Sequence, residues 1–299
     1  MAAPQRRGGG PVSTAQAVTA RGRTPALRGP VRYLVLALAV AVALVMVAPF
    51  GLLVLNAFKT SADYSTNGPL AWPEAFSLDA FQGYLARVDF PVALANSVLS
   101  STLVAFAAVA LALISAYAIG VGRIRSSSAV VAVLLVATML PHEALIYPLF
   151  YLAQATGTIN TIWSVVIIFT VFHAAFGTYI LASVMGTIPK ELLEAAAVDG
   201  ATRWQILWRV LLPTLRPTLS VLVVFFFIWT WNEFYIPLVL LGSPDSHTIP
   251  IALSTLRGQY SIDVTVINAG SLLSLLPTLV FFFLFQRTLS RGVTAGAVK

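Results

Sequence analysis

The 299-residue chain contains no cysteine, which removes disulfides, thiol nucleophiles and Cys-ligated metals at once. Charge is scarce as well. Asp, Glu, Lys and Arg make up 10% of the residues, against about 25% in an ordinary soluble domain. The three histidines, His142, His173 and His247, are too scattered to suggest a metal site. No Gly-x-x-x-x-Gly-Lys-Ser/Thr occurs, so a phosphate-cradling ATPase loop is missing, and neither Gly-x-Ser-x-Gly nor His-Glu-x-x-His is present. There is no internal repeat of about 20–50 residues. An enzyme has little to work with here.

Hydrophobic residues, at 58%, fill the space that charge leaves, and the class is an all-α polytopic membrane protein. Residues 1–30 are rich in Gly, Pro, Ala and Arg and read as a disordered basic tail. Charge-free or nearly charge-free runs at about 33–58, 92–119, 127–151, 162–184, 217–241 and 264–286 each suffice for a crossing of roughly 20 residues. They predict six transmembrane helices within a domain of 31–289. A cleaved signal peptide is disfavoured for the first run, because such a core is only about 7–15 residues long. Pro141 and Pro148 predict a kink in the third span. Gly157, Asn160 and Thr161 read as a turn, and Asn96 and Ser97 as hydrogen-bonding positions between helices.

The net charge of +7 is explained by where the basic residues fall rather than by nucleic acid. With both termini, the 120–128 loop and the segment after span four placed in the cytoplasm, only Lys59, Arg87 and Arg257 of the 18 Lys and Arg lie outside. That is a positive-inside distribution.

The segment 187–213 is the longest charged, amphipathic interlude. Pro189 is tolerated at the start of a helix, and Glu191 and Glu194 lie near its positive end. Ala195, Ala196 and Ala197 leave room for another backbone to dock. Gly200 suits the left-handed conformation that stops a helix. Thr202 is a candidate N-cap for a second short helix, which Pro213 bounds or kinks. Asp199 precedes the turn.

Two polar clusters interrupt the spans: His142-Glu143 in the third and Trp231-Asn232-Glu233 in the fifth. Each falls about 6–8 Å outward of its span's midpoint at about 1.5 Å per residue. Carboxylates there are costly unless they face water or a partner. Two readings stand: residues lining a translocation path, or polar glue between helices. His173 reads as a packing histidine.

The spacing Glu194-Ala195-Ala196, three residues, Gly200, nine residues, Val210, one residue, Leu212-Pro213 resembles the coupling loop of bacterial ABC importer permeases, with Val210 in place of Ile. The tail of 290–299, with Gly292, Thr294, Gly296 and Lys299, is similar to the end of one permease subunit of maltose-type carbohydrate importers. So are Asn232-Glu233-Phe234 and Pro148-Leu149-Phe150-Tyr151. The resemblance implies a six-helix type I importer permease in the inner membrane. It also implies a second permease, two cytoplasmic ATPases that hold ATP and Mg, an extracytoplasmic binding protein and a sugar substrate. It places Glu191, Glu194, Ala195, Ala196, Asp199, Gly200, Leu212 and Pro213 against the ATPase, and the tail between the two ATPases. The alternatives are a permease for a non-sugar solute and an ion-coupled secondary transporter.

Overall fold

The computed structural model describes residues 30–120, 127–256 and 263–297, with only the backbone of Ser127 and of 289–297. Of the expected tail of residues 1–30, all but Pro30, the first residue of a helix, lie outside them, as do Val298 and Lys299. Among the described residues there is no strand. Contacts divide the chain into two units, one ending at Pro49 and one beginning at Phe50.

Helix α1 spans Pro30–Ala57, and its side chains over 30–51 are exposed. The expected outer loop then folds into two short helices, α2 (Ser61–Asn67) and α3 (Asp79–Arg87). α4 (Phe90–Gly120) and α7 (Ile162–Met185) are the central spans. α4 owes its packing to a stripe of small side chains, Ala105, Ala108, Ala112 and Ala116, all buried. Gly177 of α7 sits opposite: a Cβ there would lie 2.9 Å from the Ala112 Cβ and 3.1 Å from Phe226. Close backbone approach is how membrane helices associate without a hydrophobic driving force between them.

The third span is broken rather than kinked. α5 (Ser127–Met139) ends before Pro141, a short 3₁₀ turn covers His142–Leu145, and α6 (Ile146–Ala155) leaves at 88° to α5. Pro141 has an extended backbone, φ −64° and ψ 119°, and it disfavours helix for the residue before it. Among the described residues five helices are long and apolar enough to cross a membrane, or six when the bent pair counts as one span.

After α8 (Lys190–Val198) comes α9, which runs Arg203–Asn232. The helix that carries the fifth span therefore starts far earlier than the expected 217, and Pro213 does not bound it. Over Ile206–Leu211 the helix widens into π geometry, with the Leu212 N–H reaching back to the Leu207 carbonyl. That wider turn carries the chain past Pro213, which lacks an N–H and crowds an ordinary α-turn. Leu207, Leu211, Leu215, Leu222 and Phe226 then form a buried stripe against α4 and α7. α9 stops at Asn232, so the expected fifth span of 217–241 is interrupted: α10 (Tyr235–Leu240) is its outer half, and α11 (Ile249–Ser254) follows in the outer loop. α12 (Val264–Ala297) continues past the expected 286, so the backbone of Gly292, Thr294 and Gly296 is helical.

Asn96 and Ser97 do bond at the end of α4, but to the second loop rather than to another span. Asn96 donates to the carbonyls of Asp245 and His247, and the Ser97 hydroxyl accepts from the Ile249 N–H at 2.8 Å.

Candidate functional site

Two features stand out, one at each end of α9. The first is the helix–turn–helix 190–205. Pro189 is the N-cap of α8 (φ −56°, ψ 131°), so Lys190 is its first helical residue. Gly200 has φ +80°, the left-handed conformation that residues with a Cβ adopt only at a cost. Thr202 caps α9 in a full capping box: its hydroxyl accepts from the Gln205 N–H, and the Gln205 side chain accepts from the Thr202 N–H at 2.8 Å. The Tyr117 hydroxyl of α4 donates to the Arg203 carbonyl at 2.8 Å. The turn is thus pinned from both sides.

α8 has an inner and an outer face. Leu193 and Ala196 pack on the core beside Ala201 and Leu212. Glu191, Glu194, Ala195, Asp199 and Gly200 are exposed, and Val198 is 87% exposed. Trp204 and Trp208 continue this surface as an edge-to-face pair. Pro213 is exposed and Leu212 half-buried. A bare apolar Val198 on a face with three carboxylates and two indoles is a surface suited to a protein partner.

The second feature is a cavity of about 810 Å³ between α5, α7 and the outer end of α9. Its size is that of a small-molecule site. Asn232 and Glu233 line it, with His142 from the broken third span. Phe172 stacks on His142 at 5.2 Å, and Phe176 meets Trp229 at 5.3 Å. Among the described residues Asn232 donates within its own helix, to the Ile228 carbonyl. His173 also reaches the wall, but it is buried, shares a hydrogen bond with Thr230 at 3.2 Å and stacks on Phe226.

The five pathway candidates divide. Glu143 is exposed and is not in the cavity wall. Trp231 is buried, stacks on Phe227 at 5.7 Å and lines a separate apolar groove. The reason is helical geometry. Positions 229, 232 and 233 share a face at i, i+3 and i+4, and 231 is turned away. Phe172, Phe176 and Trp229 were missed in the sequence because aromatics abound in every span; the i, i+3, i+4 register from Asn232 and Glu233 back to Trp229 was the available signal. Among the described residues no three His, Asp or Glu side chains gather to hold a metal.

The description "binding-protein-dependent transport system inner membrane component" matches residues 108–294. A lactose transport system permease protein of Rhizobium radiobacter is 31% identical over 281 residues, covering 94% of this chain and 99% of its own. A probable starch degradation products transport system permease protein of Thermoanaerobacterium thermosulfurigenes is 28% identical, covering 90% of this chain and 97% of its own. Among solved structures, a bacterial ABC transporter for import of the acidic polysaccharide alginate superposes with a TM-score of 0.74 at 21% identity, over 88% of this chain and 99% of that one. With the family matched over most of the chain and a permease matched almost end to end, this multi-pass membrane protein belongs to the inner membrane components of binding-protein-dependent transport systems.

Proposed function

We propose that the chain forms half of the translocation path of an ATP-driven importer for a sugar or oligosaccharide. A second permease completes the path, two ATPases dock beneath it, and a binding protein delivers the solute from outside. Both termini and the 190–205 turn lie in the cytoplasm, in keeping with the positive-inside distribution.

One observation carries the reading: the docking turn and the cavity are the two ends of a single helix. α9 begins at the capping box of Thr202 and ends at Asn232 in the cavity wall, a run of roughly 45 Å at about 1.5 Å per residue. Closure of the ATPases displaces α8. The pinned turn passes that displacement to α9, whose leucine stripe carries α4 and α7 with it. The chain's own part is mechanical, and ATP with its Mg is held by the partners.

The wall suits a carbohydrate. Flat faces of Trp229, Phe176 and Phe172 offer apolar surface to the C–H face of a sugar ring, and Asn232 and Glu233 supply the few polar groups that orient a ligand. Several relatives carry sugars in their names, lactose and starch products among them. The C-terminal tail that resembles maltose-type permeases adds to this. The test is uptake by the reconstituted transporter. Glu194→Lys should abolish ATPase association and transport while leaving membrane insertion intact. Trp229→Ala should raise the sugar concentration needed for half-maximal uptake about tenfold, the loss of roughly 1.4 kcal/mol. Wild-type uptake in Glu194→Lys with the ATPase bound as before removes the coupling role, and unchanged sugar dependence in Trp229→Ala removes the cavity.

A further inference from the structure

Between α2 and α3, residues 68–78 run without regular structure and display four apolar side chains: Leu70, Trp72, Phe76 and Leu78 are 76%, 72%, 65% and 60% exposed. Trp72 and Phe76 meet edge to face at 6.1 Å, and Phe76 meets Phe58 at 6.2 Å. The patch belongs to neither the docking turn nor the cavity.

Its depth is fixed by three ties. The Ser77 N–H donates to the Phe58 carbonyl at 2.9 Å, and Phe58 is the last residue of the charge-free stretch that α1 carries across the membrane. Ala80, just beyond the loop, packs on Ala57 of α1 and Ala269 of α12. Ser61 donates to Asp263, the residue preceding α12, at 2.8 Å. Both flanks of the loop are therefore held at the level where two spans leave the bilayer.

The loop's one carboxylate is tied to α2. The Glu74 carboxylate accepts from Asn67 at 2.9 Å, and the Glu74 N–H donates to Asp63 at 3.1 Å. Pro73 is buried. Apart from Glu74, the exposed side chains of the loop are apolar or aromatic, at the depth where Trp is enriched because its ring is amphipathic. We propose that the 70–78 loop is a lipid anchor, seated at the headgroup–acyl boundary, which sets the depth of the ends of α1 and α12. The membrane surface is its partner, and the assignment stands whichever solute is carried.

The absence of cysteine allows a direct test in the assembled transporter in lipid nanodiscs. A nitroxide on Ala75→Cys, exposed between the two aromatics, is compared with one on Ser65→Cys of α2. The anchor requires that oxygen relax the Ala75 label more than a water-soluble nickel chelate does, with the order reversed at Ser65. Replacing Trp72 and Phe76 by Ser in the Ala75→Cys chain should raise nickel accessibility several-fold. Nickel-dominated relaxation at Ala75 means that the loop stands in water. Protection from both reagents, constant or appearing only with binding protein and nucleotide, means that protein covers it. Either result overturns the anchor. The label beside intact aromatics decides the matter even where the double variant does not assemble.

Discussion

At the scale of single residues, backbone conformation ties Gly200 to its position. Its φ of +80° has open space around it, with nothing within 4 Å of a Cβ built there. Substitution is therefore penalised by dihedral strain alone, about 1–3 kcal/mol for a residue forced into that region, and more for a β-branched one. Gly200→Val should leave the spans inserted but slow ATP-coupled uptake at least tenfold; Gly200→Asn, which tolerates this φ, should retain most of it. Uptake by both variants at equal expression checks this. A second residue-scale prediction concerns pH. Asp63 is buried, and hydrogen bonds from the Asn67 amide and the Glu74 N–H, with the Lys59 charge nearby, hold its carboxyl below the usual carboxylate range. A depressed folded value means that the stabilisation is complete above the unfolded value of about 3.9 and is lost as pH falls through the folded one. Protection of the Glu74 amide from exchange should therefore hold at neutral pH and fall on acidification below about pH 4, and Asp63→Asn should flatten that dependence.

At the scale of elements, legibility in the sequence tracked the locality of the cause. Gly200 and Thr202 were readable because a turn and a cap are decided within a few residues. The 88° break of the third span was read only as a kink: Pro141 and Pro148 announce a disturbance, but its size depends on what the outer half packs against. That partner is α10, the outer half of the fifth span, whose Ile236 and Leu240 join Ala153 of α6 in one buried cluster. Pro213 misled in the opposite direction, since the π turn that accommodates it leaves no mark in residue type. The two outer halves are latched by Asn160, at φ 59°. Its N–H donates to the Leu240 carbonyl at 2.8 Å, and its side-chain oxygen accepts from the Gly242 N–H at 2.8 Å. Asn160→Ala removes one bond and makes the positive φ costlier. It should lower the melting midpoint of the purified protein by an amount matching about 1–3 kcal/mol. Asn160→Gly keeps the turn and should lose less, which thermal unfolding of the two variants will show.

At the scale of the whole molecule, the described residues combine spans whose packing is complete with surfaces that have no cover within the chain. Leu207, Leu211 and Leu215 are at most 1% exposed, whereas Val198 and Trp204 nearby are 87% and 59% exposed. Composition alone foretold the class, because it sums over the entire chain and needs no knowledge of packing, and the basic residues give an expected orientation on the same footing. That orientation is open to a direct test with single cysteines at Ser65, Ser127, Thr202 and Ser246, since the chain supplies no competing thiol. Ser65 and Thr202 are exposed, on α2 and at the docking turn, so their reactivity reports the compartment rather than burial. Ser246 is 6% exposed and bonds to the Ser243 carbonyl, so a cysteine there reacts slowly from either side and Ser65 carries the outer assignment. An impermeant maleimide should label Ser65→Cys in intact cells, and should label Thr202→Cys and Ser127→Cys only after permeabilisation. Labelling of Thr202→Cys from outside would place the docking turn on the side without ATP, and the proposed coupling through α8 and α9 would fall with it.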